Sequence, residues 1–221
     1  AGQAPYAATT GSDMSLELHQ NNASVSALME GRLDKRIAQK VTLTVTLFEN
    51  QPGLDLSWTI VDKQPDPWPE AGWLCLPFNV AQPRFRLGRL GAVVDPSRDL
   101  VRGSNHEIYC LNGGMALIGP GGGGVGLCPL DSPLVSLGRP GIWKYSKEFV
   151  PAKPVVFLNL YNNQWSTNFP QWISGSWSSR VHLWSIEKHD DKTSLVAPSW
   201  GARSKLLAAF SDGPSGSLPA S

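Results

Sequence analysis

The residues best suited to chemistry in this chain are the amides and aromatic rings between Leu158 and Trp172. The stretch follows the apolar, β-branched run Val155–Leu158 and reads Leu-Asn-Leu-Tyr-Asn-Asn-Gln-Trp-Ser-Thr-Asn-Phe-Pro-Gln-Trp. A pyranose offers hydroxyls that need donors and acceptors, and a C–H face that lies on an aromatic ring. Asn side chains among aromatic rings therefore favour contact with sugar. The alternative is a strand followed by a loop whose Asn side chains satisfy turn backbone.

Carboxylates are the second candidates, because glycoside hydrolysis needs two of them, about 5–5.5 Å apart in retaining and about 6.5–9.5 Å apart in inverting enzymes. The acids in aromatic or apolar segments are Glu70, Asp95 and Asp131. Glu70 lies between Trp68 and Trp73, which would desolvate its carboxyl group and stack a sugar. The alternative is a structural Glu at a loop-to-strand junction, bonded to backbone or to an arginine. We favour this structural role over a catalytic one. Asp95 and Asp131 are typical turn-initiating residues, so no catalytic residue is assigned.

Other catalytic and cofactor motifs find no support in the sequence. The four histidines lack zinc-ligand spacing, and the three cysteines form no Cys-x-x-Cys pair. The run Gly119–Gly124 fits a dinucleotide fingerprint only formally, because a strand-like segment rather than a helix follows it. We interpret it as a hairpin tip. No metal site and no cofactor are predicted in this chain.

Three segments carry a resemblance to a known family. Tyr161–Phe169 resembles the "YNN.W.TNF" segment in the non-catalytic β-domain of family 38 glycoside hydrolases, the α-mannosidase family. Pro67–Phe78 is similar to its "PE(A/S)…(A/L)(F/L)PF" strand, and Leu130–Gly138 to its "DAPLV.LG" turn and strand. The three occur in the family's order and span about residues 40 to 186, and the resemblance is closest to a bacterial branch of that group.

The resemblance implies a galactose mutarotase-like supersandwich that contacts carbohydrate and completes the active site of a catalytic domain. That glycosidase domain, of the same parent chain, would be the protein partner, and would hold the family's divalent metal. The chain is therefore expected to be a portion of a larger enzyme, with an apolar face evolved to be covered by neighbouring domains. The resemblance also places the region around Asp131 on the side that faces the catalytic module.

Composition agrees with one β-rich domain. Hydrophobic residues make up 41% of the 221 residues, enough for a core, while 22 Gly, 18 Pro and nine Trp favour strands joined by tight turns. The net charge of +1 gives no electrostatic footprint for nucleic acid or an acidic membrane. No run approaches the roughly 18 apolar residues that a membrane helix needs. The expected partners are thus carbohydrate and protein, with neither nucleic acid nor membrane.

Period-two alternation predicts an all-β fold, an antiparallel β-sandwich. In Val41–Phe48, valines and leucines alternate with threonines, and the apolar residues at alternate positions from Leu54 to Ile60 repeat the pattern after a turn. Further strands are predicted at Trp73–Val80, Arg84–Leu87, Ala92–Val94, Glu107–Leu111, Met115–Ile118, Val125–Cys128, Leu134–Leu137, Val155–Leu160 and Arg180–Ile186.

The remaining segments divide the chain into three parts: residues 1–39 as an N-terminal lead-in, 40–190 as the sandwich, and 191–221 as a C-terminal extension with a disordered tail. Ser24–Glu30 fits either a strand or a short helix, Ala202–Phe210 is predicted as a helix, and Ser174–Ser179 as a turn entering the last strand. The cysteines lie in strand-like contexts, which predicts buried free thiols. The sequence leaves open whether two of the cysteines form a disulfide and in which cellular compartment the protein lies.

The sequence thus predicts a carbohydrate-contacting, structural β-domain. The ligand-binding residues are expected to be Trp68, Glu70, Trp73, Asp131, Asn162, Asn163, Trp165, Asn168 and Trp172. The main alternative is a self-sufficient sugar enzyme on the same fold, such as an aldose 1-epimerase, that pairs Glu70 with His106 or His182 as acid and base. A third possibility is an interaction sandwich without a ligand.

Overall fold

The computed structural model describes residues 8–141, 146–163 and 172–204. The strands are β1 Ser12–Gln20, β2 Ser24–Arg32, β3 Lys40–Phe48, β4 Leu54–Lys63, β5 Ala71–Pro77, β6 Arg84–Arg89, β7 Ala92–Val94, β8 Tyr109–Cys110, β9 Met115–Ile118, β10 Gly124–Pro129, β11 Leu134–Leu137, β12 Val155–Asn162 and β13 Gly175–Ile186. A π-helical turn, Asp191–Val196, and a helix, α1 Ala197–Arg203, follow them.

These strands form two sheets in which every paired neighbour is antiparallel. The large sheet has the order β1-β2-β3-β4-β13-β10-β9-β6-β7, and the small sheet has the order β5-β12-β11-β8. The predicted all-β antiparallel sandwich is therefore confirmed. We call the face of each sheet that points toward the other sheet its inner face.

The core lies between the two inner faces and follows the predicted alternation. In β4 the residues Leu56, Trp58 and Ile60 are buried, and each lies opposite an apolar residue of β3 in the antiparallel register. The small sheet contributes Val156 and Leu158 from the middle of β12. Burial of each such side chain stabilises the fold by about 1.5–3 kcal/mol, so the pairing of the alternating faces fixes the register.

The outer face of the large sheet is covered at one end by the C-terminal helical segment. Leu195 packs with Trp184 and Ile186 of β13 in a second apolar cluster, and Trp184 Nε1 donates to the carbonyl of Ser194. The helix runs over Ala197–Arg203, earlier than the predicted Ala202–Phe210, because Pro198 suits a first helical turn. The predicted range beyond residue 204, like the predicted disordered tail, lies outside the described residues. No helix in the described ranges is long and apolar enough to cross a membrane.

The N-terminal segment belongs to the large sheet. β2 pairs with β3 over its whole length, so Ser24–Glu30 is a strand rather than a helix. β1, which no sequence pattern predicted, pairs with β2 and forms one edge of the sheet. The sheet thus continues without a break across the boundary expected at residue 39.

The turn predicted at Ser174–Ser179 is instead the first half of β13. Gly175 already pairs with Lys63, and Trp177 with Ile60, so the strand begins five residues earlier than predicted. Serines reach strand geometry here because β4 supplies a full-length partner. By contrast, the glycine run 119–124 is the tight connection between β9 and β10 that the sequence predicted, closed by Gly119 N donating to Gly123 O at 2.9 Å.

All three cysteines are free thiols, but only Cys128 is buried. The prediction of buried thiols is wrong for Cys75 and Cys110, which are exposed. The reason is strand parity: Leu74 and Leu76 pack against the core, so Cys75 between them points away from it.

Two glycine-to-alanine substitutions should have opposite effects on stability. A Cβ at Gly126 would lie 2.1 Å from Trp184 Cε2, beneath a ring held by its own hydrogen bond, so Gly126→Ala should cost about 1–3 kcal/mol. Gly201 lies in α1 with open space around it, so Gly201→Ala should stabilise the fold by roughly 0.5 kcal/mol. Urea denaturation measures both, and equal effects would contradict the packing of Trp184 against the sheet.

Candidate functional site

A β-bulge at the end of β4 turns a lysine into the protein. Strict alternation after Leu56, Trp58 and Ile60 would put Asp62 on the inner face. Asp62 instead has φ 51°, and the register with β13 shifts at this point. Lys63 consequently takes the inward position, where its residue exposure is only 1%. The backbone N–H of Asp62 is satisfied by Ser176 Oγ at 2.8 Å.

The buried ammonium of Lys63 forms an ion pair with Glu70, whose side chain is 22% exposed. Lys63 Nζ also donates to the carbonyl of Gln64 at 2.6 Å and lies 5.4 Å from the centre of the Tyr161 ring. Burial raises the pKa of Glu70 above its ordinary value, and the Lys63 ammonium offsets only part of this rise. Burial and the Glu70 carboxylate likewise raise the pKa of the Tyr161 hydroxyl. We call Lys63, Glu70 and Tyr161 the polar cluster.

Asn163 fixes the loop that brings Glu70 to this cluster. Its side-chain Oδ1 accepts from the backbone N–H of Glu70 at 2.5 Å, and its Nδ2 donates to the carbonyls of Asp66 and Trp68 at 3.1 Å each. Its own backbone N–H donates to the carbonyl of Glu70 at 3.0 Å. One amide therefore holds residues 66–70 against the end of β12.

A second amide network lies one residue earlier, at an irregularity in β12. Asn162 Nδ2 donates to Asn159 Oδ1 at 2.8 Å. Asn159 Nδ2 donates to the carbonyls of Gly72 and Tyr161, where the register with β5 shifts. The three described amides of this stretch, Asn159, Asn162 and Asn163, thus have backbone and amide partners inside the protein, as the structural alternative for this segment predicted.

Three tryptophans lie near the polar cluster, in space or along the chain. Trp177 packs edge-on against Tyr161 with ring centres 5.4 Å apart. Trp68 and Trp172 are largely exposed, at 73% and 55%. Trp68 is tied to the cluster through Asn163, and Trp172 stands three residues before Gly175, the partner of Lys63 in the sheet. We call Trp68 and Trp172 the exposed tryptophans.

The remaining predicted site residues lie elsewhere or outside the described part of the chain. Trp73 belongs to the outer face of the small sheet, where it packs edge-on against Phe157 at 6.4 Å. Trp165 and Asn168 are not among the described residues. Of the predicted residues, the structure therefore joins Glu70 and Trp68 to Asn163 by hydrogen bonds. Asn162 is the chain neighbour of Asn163 and bonds to Asn159 instead.

Asp131 is separate from this cluster. Its carboxylate accepts from the backbone and side chain of Arg180 at 2.8–2.9 Å, and those hydrogen bonds hold its pKa below the ordinary value. Arg180 lies five residues along β13 from Gly175, which is about 16 Å at a rise of about 3.3 Å per residue. Asp131 fastens the turn after β10 to β13.

Neither histidine of the predicted acid–base pair approaches Glu70. His182 contacts Asp55 at 2.6 Å on the outer face of the large sheet, seven residues from Gly175 and so about 23 Å along the strand. His106 precedes β8, whereas Glu70 precedes β5, and these strands are the opposite edges of the small sheet. Three strand spacings separate them, about 14 Å. A Glu70 acid–base pair with either histidine is therefore not formed.

Lys63, Trp177 and the role of Tyr161 were not predicted from the sequence. The available signal was the end of the β4 pattern, where alternation would have buried Asp62. Either a charged residue is buried or the strand bulges, and both outcomes mark an unusual position.

Comparisons with known proteins concern the fold alone. The chain matches no protein family, and no curated protein matches it. Three solved structures are similar in part: a TPR-domain containing protein from Parabacteroides distasonis (12% identity, 90% of this chain, 38% of that chain, TM-score 0.47), a heparan sulfate lyase HepC mutant from Pedobacter heparinus (8%, 80%, 22%, 0.39) and a galactose mutarotase-like protein from Lactobacillus casei (15%, 77%, 72%, 0.33). The chain spans well under half the length of the first two, and all three TM-scores are low.

The raised pKa of Glu70 predicts a specific pH dependence of stability. The folded state holds this proton to higher pH than the unfolded chain, so the wild-type free energy of unfolding should fall as pH rises from about the ordinary value of 4.5 through the raised value. Glu70→Gln should remove that fall, because glutamine has no proton to lose in this range. Each tenfold difference in proton affinity between the folded and unfolded states corresponds to about 1.4 kcal/mol. At pH 7 the variant should be at least as stable as wild type.

Urea denaturation between pH 4 and 8 measures this effect, with Glu30→Gln as the matched control. Glu30 pairs with Lys40 at 2.5 Å, but both of those side chains are about one-third exposed. A loss of several kcal/mol in Glu70→Gln at pH 7 would show instead that the ion pair with Lys63 outweighs the cost of burial.

Proposed function

We propose that this chain is a carbohydrate-contacting β-domain that is not catalytic alone. The observation that carries the proposal is the pair of exposed tryptophans, Trp68 and Trp172, at the end of the sheets where the polar cluster lies. Large indole faces cost free energy when left in water, and they stack on the C–H faces of pyranoses.

Glu70 supplies the polar part of the proposed site. Its carboxylate is partly exposed, and Lys63 holds it from inside the protein. A carboxylate accepts hydrogen bonds from sugar hydroxyls through its remaining lone pairs. The amides contribute differently from the sequence expectation: Asn163 positions the loop that carries Trp68 and Glu70, and Asn162 fixes the end of β12.

The finer assignment, to the non-catalytic domain of an α-mannosidase-like glycoside hydrolase, rests on the three sequence segments described above. In this proposal the parent enzyme supplies a catalytic domain, and the present chain contributes structure and sugar contact. The structural counterparts in the chain fit such a role: Asp131 and Asn163, from two of those segments, both hold loops against strands.

Sugar titration tests the binding proposal. We expect mannose to bind in the millimolar range, because a small polar ligand exchanges water hydrogen bonds for protein ones of similar strength. Trp68→Ala and Trp172→Ala should each weaken binding by roughly fivefold or more, the equivalent of about 1 kcal/mol. Chemical-shift changes in NMR spectra should map to β4, β5 and the end of β12.

The matched control is Trp200→Ala. Trp200 is 66% exposed but lies on α1, so its removal should leave mannose binding unchanged. Dissociation constants for mannose, glucose and galactose, measured side by side, then give the sugar preference of the site. Shifts that map to α1, or that survive loss of both exposed tryptophans, would leave the polar cluster as a purely structural feature.

A second candidate function, a self-sufficient sugar enzyme, is favoured by one observation: the raised pKa of Glu70 beside a buried lysine and a tyrosine, an arrangement typical of acid–base sites. We expect the chain to leave aryl α-mannosides uncleaved above background, with or without added zinc, and to leave mutarotation of aldoses at the spontaneous rate. Polarimetry and release of the aryl group measure these. Turnover that Glu70→Gln abolishes and Glu30→Gln leaves intact would establish the enzyme instead.

A further inference from the structure

In the described part of the chain, the β1 edge of the large sheet carries an apolar row that the small sheet does not cover. On β1, Met14, Leu16 and Leu18 are 60%, 62% and 72% exposed. Register places Leu16 opposite Met29 of β2, which in turn lies opposite Leu43 of β3. This row ends at Trp58 of β4, so the residues on β1 share the inner face with the core.

A flanking strand is what distinguishes the apolar residues of β2 from those of β1. Met29 and Ala27 of β2 are half-buried, whereas their partners Leu16 and Leu18 are exposed. Among the described strands, β2 has a neighbour on both sides and β1 has one on a single side. A strand added beside β1 would therefore lower the exposure of this row and would pair the free backbone groups of the edge.

The sequence of β1 is complementary to itself in an antiparallel register. With Leu16 opposite Leu16 of a second copy, Met14 lies opposite Leu18 and Ser15 lies opposite Glu17. Apolar residues thus meet apolar residues over Met14–Leu18, and no like charges are opposed on either side of the two-fold axis. The strand contains neither proline nor lysine, the residues that commonly protect sheet edges, and its bulge lies near its start, between Ser12 and Ser15.

We propose that β1 is a homodimerisation strand, which pairs antiparallel with β1 of a second copy about a two-fold axis at Leu16. Such an interface is isologous, so one surface serves both subunits. The two large sheets then form one continuous sheet, and their apolar inner faces adjoin at the axis. This dimer is separate from the proposed sugar site, because β1 and the end of β4 are three strand spacings apart, about 14 Å.

Sedimentation velocity over a concentration series tests the dimer. The wild-type chain should shift from monomer to dimer with increasing concentration, and Leu16→Glu should raise the dissociation constant by about tenfold or more, because it places two like charges opposite each other. Leu47→Glu is the matched control: Leu47 is 52% exposed on the inner face but lies on β3, so it should leave dimerisation intact.

Disulfide trapping gives a direct readout. Leu16→Cys, with the exposed Cys75 and Cys110 replaced by serine, should oxidise to a covalent dimer, because directly opposed Cα atoms in antiparallel strands lie about 4.5–5.5 Å apart. Leu18→Cys in the same background should not, since the two copies of residue 18 would be offset by four residues. A chain that stays monomeric at all concentrations, or dimerises equally in Leu16→Glu and is disrupted by Leu47→Glu, would overturn the proposal in favour of a bare edge or of face-to-face packing.

Discussion

The large sheet has to bury one apolar face, and in the described part of the chain four strands lie opposite its nine. This mismatch organises the molecule. Where β12 and its neighbours cover β4, β13 and β10, a dry core forms with most members fully buried. Toward β1 the same apolar rows continue into solvent. Apolar side chains of the same row are therefore buried in the core at β4 and exposed to solvent at β1.

The end of β4 shows a second consequence of strand geometry. A single residue with positive φ, Asp62, changes which side chain points inward and so exchanges an aspartate for a lysine. A buried ammonium needs oxygen acceptors nearby. Glu70 and the Gln64 carbonyl fulfil that need, and Asn163 holds the loop that delivers Glu70. The bulge is thus connected to Trp68 through three successive contacts.

Most strands could be predicted because they obey period two and are bounded by Gly or Pro. Leu54 to Ile60 is of this kind, since burial on one face leaves a regular pattern, whereas Val155 to Leu158 could be predicted as a continuous apolar, β-branched run. Three features could not be predicted so simply. β1 is exposed along its whole length, the serines at the start of β13 have little strand preference of their own, and the inward turn of Lys63 depends on a backbone angle. In the site, the sequence nominated both Asn163 and Glu70 for ligand contact, but amide partners are set by three-dimensional contacts that composition does not encode.

The place of β13 in the large sheet governs how this protein can acquire its structure. β13 follows every other described strand in the chain, yet it lies between β4 and β10 and joins the block β1–β4 to the block β10, β9, β6 and β7. Its pairing with β4 links residues more than one hundred positions apart, such as Thr59 and Ser178. Contacts of such long range slow folding, because the entropy of closing the long loop is lost before the strands gain pairing energy. During synthesis, the two blocks of the sheet therefore keep unpaired edges until β13 has left the ribosome.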